Sequence, residues 1–181
     1  TRGAMVNTSN LTDQTIALTA VKASDESQFL SSTLAYSESS WLLPAKYFWP
    51  PYALSFYARH PVTDNNIQSG GTTQSFTYTI GQSNSRQVDL MYGYTKNVEK
   101  GTTIAINMKH ALAAITFQGK TESASMEVKI GGIDFCKVST SATFTYPTVS
   151  TTSGNTDNHT DCFTSKGTPG TLSAGVATAG V

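Results

Sequence analysis

Nucleophilic catalysis needs a base beside its nucleophile and a third group that orients the base. The chain offers three histidines, His60, His110 and His159. None stands in a G-x-S-x-G elbow or another catalytic setting. His60 precedes Pro61 at the end of a strand-like run and reads as a surface residue. His110 closes an apolar run and reads as a core or corner histidine satisfied by backbone groups. Asp157-Asn158-His159-Thr160-Asp161-Cys162 gathers metal-ligand types, but a zinc site also draws ligands from a distant element, and no partner motif is visible. Asp64-Asn65-Asn66 with Gly70 resembles a calcium loop and lacks the glycine and terminal glutamate of an EF-hand, so it reads as a solvated turn. The acids are sparse, Asp25-Glu26 is a turn-like pair, and no glycine-rich phosphate loop is present. The sequence argues against an enzyme and implies no cofactor and no metal.

Two other residue types invite attention. Trp41 and Trp49, with eight tyrosines, could stack on a sugar or contact another ligand, and equally could fill and cap a core. Cys136 and Cys162 form no CxxC motif. In an oxidising compartment they could pair, and closing that loop would contribute roughly 3–4 kcal/mol in the chain-entropy model. The alternative is two thiols.

Charge excludes whole classes of partner. Lys plus Arg equals Asp plus Glu at 12 each, so no net field draws nucleic acid or an anionic bilayer. Charged residues make up 13 % of the chain, about half the roughly 25 % of ordinary globular proteins. Ser, Thr, Asn and Gln supply the missing polarity, a composition suited to strands and turns of secreted β proteins. No apolar stretch approaches the ~20 residues that span a bilayer. The chain opens Thr1-Arg2-Gly3-Ala4 without a basic region and an apolar run, so it reads as a mature or processed form.

The elements that must carry these residues repeat with period two. Ile16, Leu18 and Ala20 share one parity, as do Leu54, Phe56 and Ala58, then Phe76, Tyr78 and Ile80, then Val88, Leu90 and Tyr92. Alternation of this kind puts one face of a strand in a core and the other in water. Turn signals at Asp64-Asn65-Asn66, Ser69-Gly70-Gly71, Gly81 to Asn84 and Lys100-Gly101 separate the runs, and short strands at this spacing predict a β-sandwich. Parity breaks twice. In Thr103–Gln118 it predicts a strand, a bend near Ala113-Ala114 and a second strand, with a helix over Met108–Ala114 as the alternative. The other break falls at Gly131-Gly132, where a bulge or tight bend is expected. The proline-punctuated passage Trp41–Pro51 reads as a connection whose aromatics cap one end of the sandwich. The expected organisation is all-β: a sandwich over 1–146, a Ser/Thr/Gly-rich linker or loop over 147–170, and the start of a truncated second β domain over 171–181.

Several segments together resemble the fimbrillin-like (Mfa-like) family of Bacteroidales type V pilus and adhesin subunits. Thr1-Arg2-Gly3 with Ala17-Leu18-Thr19-Ala20 is similar to the family's processed start and first retained strand. Lys46-Tyr47-Phe48-Trp49-Pro50 and Leu54-Ser55-Phe56-Tyr57-Ala58-Arg59-His60-Pro61 resemble its aromatic-Trp-Pro segment and its L-x-F-Y-A-x-x-P strand. Gln87-Val88-Asp89-Leu90-Met91-Tyr92-Gly93 resembles Q-x-D-L-M-x-A with glycine in place of alanine, and Met108-Lys109-His110-Ala111-Leu112-Ala113-Ala114-Ile115 resembles F-x-H-A-L-A-x-V. Order and spacing agree over roughly residues 1–146.

The resemblance implies a two-domain subunit of transthyretin-like, Greek-key sandwiches, exported as an outer-membrane lipoprotein to an extracellular fimbria. It implies cleavage by an arginine-specific protease between Arg2 and Gly3, removal of an N-terminal strand, and a groove that accepts a strand from the next subunit. Partners would be other fimbrial subunits, with a host protein or glycan bound at Trp41 or Trp49 in a monomeric alternative. Contact with a membrane would run only through a lipid anchor on the precursor. Family members are commonly about twice this length, so the second sandwich and its C-terminal donor strand are not identifiable here.

Overall fold

A computed structural model describes residues 5–69, 72, 74–81, 87–118, 120, 122, 130–147 and 162–174. Among these residues twelve strands follow a short 3-10 turn at Leu11–Asp13: β1 Thr15–Lys22, β2 Gln28–Ser37, β3 Ser40–Leu42, β4 Leu54–His60, β5 Ile67–Ser69, β6 Ser75–Thr79, β7 Met91–Val98, β8 Lys109–His110, β9 Ile133–Ser139, β10 Ser141–Thr145, β11 Phe163–Thr164 and β12 Pro169–Ala174. They form a six-stranded sheet in the order β3-β2-β1-β4-β7-β8, a four-stranded sheet β11-β10-β6-β5 and a two-stranded ribbon β12-β9. Every pairing is antiparallel. The fold is an all-β sandwich, without an α-helix among the described residues.

Alternation places the strands but buries more of them than one face. Leu18 pairs with Ala58 and Ala20 with Phe56, so both parity sets share a face of the large sheet. That face forms one core with Ile16, Leu30, Leu54 and Val98. Side chains of the opposite parity, Val21, Tyr57, Tyr92 and Tyr94, join Phe76, Tyr78, Phe144 and Tyr146 in a second core between the sheets. β4 is therefore buried at five successive residues, Leu54 to Ala58, as expected of a strand covered on both sides. The outer cover is irregular chain, with Leu43 and Trp49 from the β3–β4 connection and Ile106 and Met108 from the segment before β8. The aromatic passage expected to cap an end of the sandwich thus packs along a face.

The inter-sheet core centres on Phe144, which is fully buried. Its ring lies 4.7 Å from Tyr92, 5.0 Å from Phe76, 5.2 Å from Phe163 and 5.4 Å from Tyr146, centroid to centroid. Tyr146 donates its hydroxyl to the Ala58 carbonyl at 2.8 Å, tying the end of β10 to β4. Burial pushes the Tyr57 and Tyr78 phenols up to about 12, so both stay protonated.

The first parity break resolves differently from expectation, and residues 123–129, which lead into the second, lie outside the described residues. In Thr103–Gln118 only Lys109–His110 pairs as strand, and no helix forms. The bend falls at Ala111-Leu112, where the Ala111 amide donates to the Leu90 carbonyl at 2.7 Å. Gly131 and Gly132 have open space around their α-carbons and lead directly into β9. Farther on, most of the stretch expected as a linker or loop lies outside the described residues, and its described part pairs at Phe163–Thr164 and again from Pro169. β11 joins β10, Gly167 donates its amide to the Ser141 carbonyl, and β12 pairs with β9. Phe163 supplies the physical reason, since its ring enters the aromatic core.

Candidate subunit-contact surface

The large sheet ends on its thinnest strand. β8 pairs with β7 only at Met91–His110 and Tyr92–Lys109. Chain on either side of β8, and the approach to β9, presents large apolar side chains to solvent: Ile104 at 41 % exposure, Ile115 at 63 %, Phe117 at 53 % and Ile130 at 45 %. Phe117 reaches Phe135 of β9 at a ring distance of 5.2 Å. The β9–β12 ribbon has no further strand on either side among the described residues. Two-stranded ribbons are marginal in water without a partner layer. Open edges beside exposed apolar side chains are docking features. The register shift at Gly170/Thr171, opposite Lys137 at φ 60°, bulges this ribbon locally.

At the same corner the N-terminal segment is fastened down. Val6 is buried, and its amide donates to Asp89 Oδ2 at 2.7 Å. The other carboxylate oxygen of Asp89 meets His110 Nδ1 at 2.9 Å. His110 thus stands at a corner as expected, but its partner is a carboxylate rather than the backbone, and its ring is exposed. Asp89 and His110 come from two of the four segments that carry the family resemblance, and the fold brings them together. His60 is half-buried, with Nδ1 3.0 Å from the Thr15 carbonyl. No group of three metal-ligating side chains occurs among the described residues, and Asp157 to Asp161 lie outside them.

The remaining expected sites separate. Arg2 and Gly3 lie outside the described residues. Cys136 is exposed on β9 and Cys162 is buried beside β11. No disulfide joins them in the structure. Trp41 is half-buried and meets Tyr36 edge-on at 5.4 Å, while Trp49 packs on Phe56 at 5.9 Å. Both indoles pack against the outer core. Next to Trp49, Phe48 at 93 % exposure and Tyr47 at 49 % turn to solvent instead. Composition alone could not rank these rings. The register of Trp49 over Phe56 decides which aromatics turn inward.

No helix among the described residues is long and apolar enough to cross a membrane. No curated protein and no solved structure matches the chain. The sequence model of the fimbrillin-like family matches residues 1–178, which spans every segment discussed above. The chain belongs to the fimbrillin-like family, and its role is that of a fimbrial subunit at the cell surface, whose partners are other fimbrial subunits.

Proposed function

We propose that the subunit polymerises by β-strand donation after cleavage between Arg2 and Gly3, in a precursor that reaches the outer membrane on a lipid anchor. The observation that carries this reading is the unfinished edge. A two-residue β8 and a ribbon with no further strand among the described residues stand beside Ile104, Ile115, Phe117 and Ile130, all exposed. An incoming strand gains main-chain hydrogen bonds from such an edge, and its alternate side chains gain apolar contact. The Asp89–His110 pair supports the proteolytic step, because it grips Val6 a few residues beyond the proposed cut. Light scattering of the full-length protein before and after an arginine-specific protease tests this. Growth on cleavage, abolished by Arg2→Ala and by Ile115→Ser with Phe117→Ser, is the expected result. Equal behaviour of cut and uncut protein would remove strand donation from the account.

A second reading, a monomeric surface lipoprotein that binds a glycan or a host protein, is favoured by the exposure of Phe48 and Tyr47. Trp41 and Trp49 are less suited, because both pack inward. Glycan-array binding lost on Phe48→Ser, in protein that still assembles, would support it. An array that is blank for the native protein would dismiss the glycan form.

A further inference from the structure

Among the described residues, the large sheet holds a half-buried cation, Arg59, where the two sheets part. On β1 and β4, Ala17 pairs with Arg59 and Thr19 with Tyr57, so these four side chains share the inter-sheet face. A half-open cavity of about 240 Å³ lies there, lined also by Phe76 and Tyr146 and by Ile67, Gln68 and Ser75. Ligand pockets for drug-sized molecules run from about 300 Å³ upward, so this one suits a single ring or a short chain.

Arg59 is held rigid inside it. One terminal guanidinium nitrogen donates to the Pro61 carbonyl at 2.7 Å and the other to the Val62 carbonyl at 3.2 Å. The guanidinium also lies 5.5 Å from the Phe76 ring centre, a cation–π distance. These contacts use two of the five N–H donors of an arginine. No carboxylate forms an ion pair with Arg59 among the described residues. Asp64 acts on it only through space, and its own Oδ1 accepts the Asn66 amide at 2.7 Å. Burial pulls the Arg59 pKa below its ordinary value, which is the signature of a charge short of solvent. Withdrawing a cation partly from water without a counter-ion has a cost, and a bound carboxylate offsets it through paired hydrogen bonds. The rest of the lining is hydroxyl, amide and aromatic: Thr19, Ser75, Gln68 and the rings of Tyr57 and Tyr146. That mixture matches the hydroxyls and C–H faces of a sugar ring.

We propose that this pocket recognises the carboxylate of an acidic monosaccharide, with Arg59 binding the charge and Thr19, Gln68 and Ser75 meeting the ring hydroxyls. It is independent of strand donation, since the pocket is lined by β1, β4, β5 and β6, away from β8. NMR titration of the full chain with glucuronate, glucose and acetate at low salt tests it. Saturable glucuronate shifts at Ala17, Thr19, Gln68 and Ser75, with glucose at least tenfold weaker, are expected. Arg59→Gln should weaken glucuronate at least tenfold by removing charge-assisted hydrogen bonds. Because Arg59 also braces Pro61 and Val62, Ala17→Leu provides a second variant that fills the mouth and leaves the cation in place. It should abolish the shifts at Thr19, Gln68 and Ser75 at an unchanged melting temperature. Equal binding of glucose, equal binding of acetate, or glucuronate binding that survives Ala17→Leu would each overturn the proposal.

Discussion

Gly93 stands where the family pattern has alanine, and the structure shows what the missing methyl permits. A Cβ there would lie 2.6 Å from Ile106 Cγ2, 2.8 Å from the Asn107 carbonyl oxygen and 2.9 Å from Met108 Sδ. The segment that covers the outer face of the sheet has settled into the space. Gly93→Ala should therefore destabilise the fold by about 1–3 kcal/mol, the usual cost of overpacking, read as a lower urea midpoint. An unchanged midpoint would mean that residues 106–108 yield freely. Phe144 is the opposite case, a ring with aromatic neighbours on several sides. Phe144→Ala should cost about 3–5 kcal/mol and merge folding with partial unfolding in calorimetry. The packing of neither residue could be read from the sequence. Gly93 differs from a family pattern by one methyl, and Phe144 sits in a short Thr-rich run whose partners, Phe76 and Tyr92, are distant in the chain.

Strands are where the sequence was most readable. The alternating runs at Ile16, Leu54 and Phe76 all became strands, because a period of two has no other regular solution. What alternation did not disclose is that the central strands β4 and β7 are buried on both faces. Ser55 and Thr95 are buried polar residues within them, and their polarity disguises the second covered side. The Thr103–Gln118 run failed for a related reason. Its apolar residues cover a sheet or face solvent, so they follow neither period. Turns offer a cleaner test. Glu38 and Ser39 join β2 to β3 with φ of 50° and 62°, a left-handed pair that normally favours Asn-Gly. Glu38→Asn with Ser39→Gly should stabilise the hairpin by about 1 kcal/mol, or roughly 2–4 °C in melting temperature for a chain of this size. A fall in melting temperature would indicate that Glu38 or Ser39 makes a contact worth more than the strain.

At the scale of the molecule, two solid cores stand beside an edge that ends abruptly. The cores make the subunit rigid, while the surface around β8 and the β9–β12 ribbon keeps apolar side chains in water. Among the described residues no strand or helix covers this edge, whereas monomeric sheet proteins commonly cover or charge theirs. The candidate contact surface was only partly legible. Family motifs pointed to Asp89 and His110 separately, but their meeting with Val6 depends on β7 and β8 lying side by side. The exposure of Ile115 and Phe117 reads in sequence as one more apolar core strand. Hydrogen exchange, compared between isolated subunits and assembled fibres, tests the central claim most directly. Slower exchange on assembly should appear in residues 113–118 and in β9 or β12, with β1 and β4 unchanged. Fibres whose new protection falls elsewhere, leaving those segments exchanging as fast as in the monomer, would contradict it.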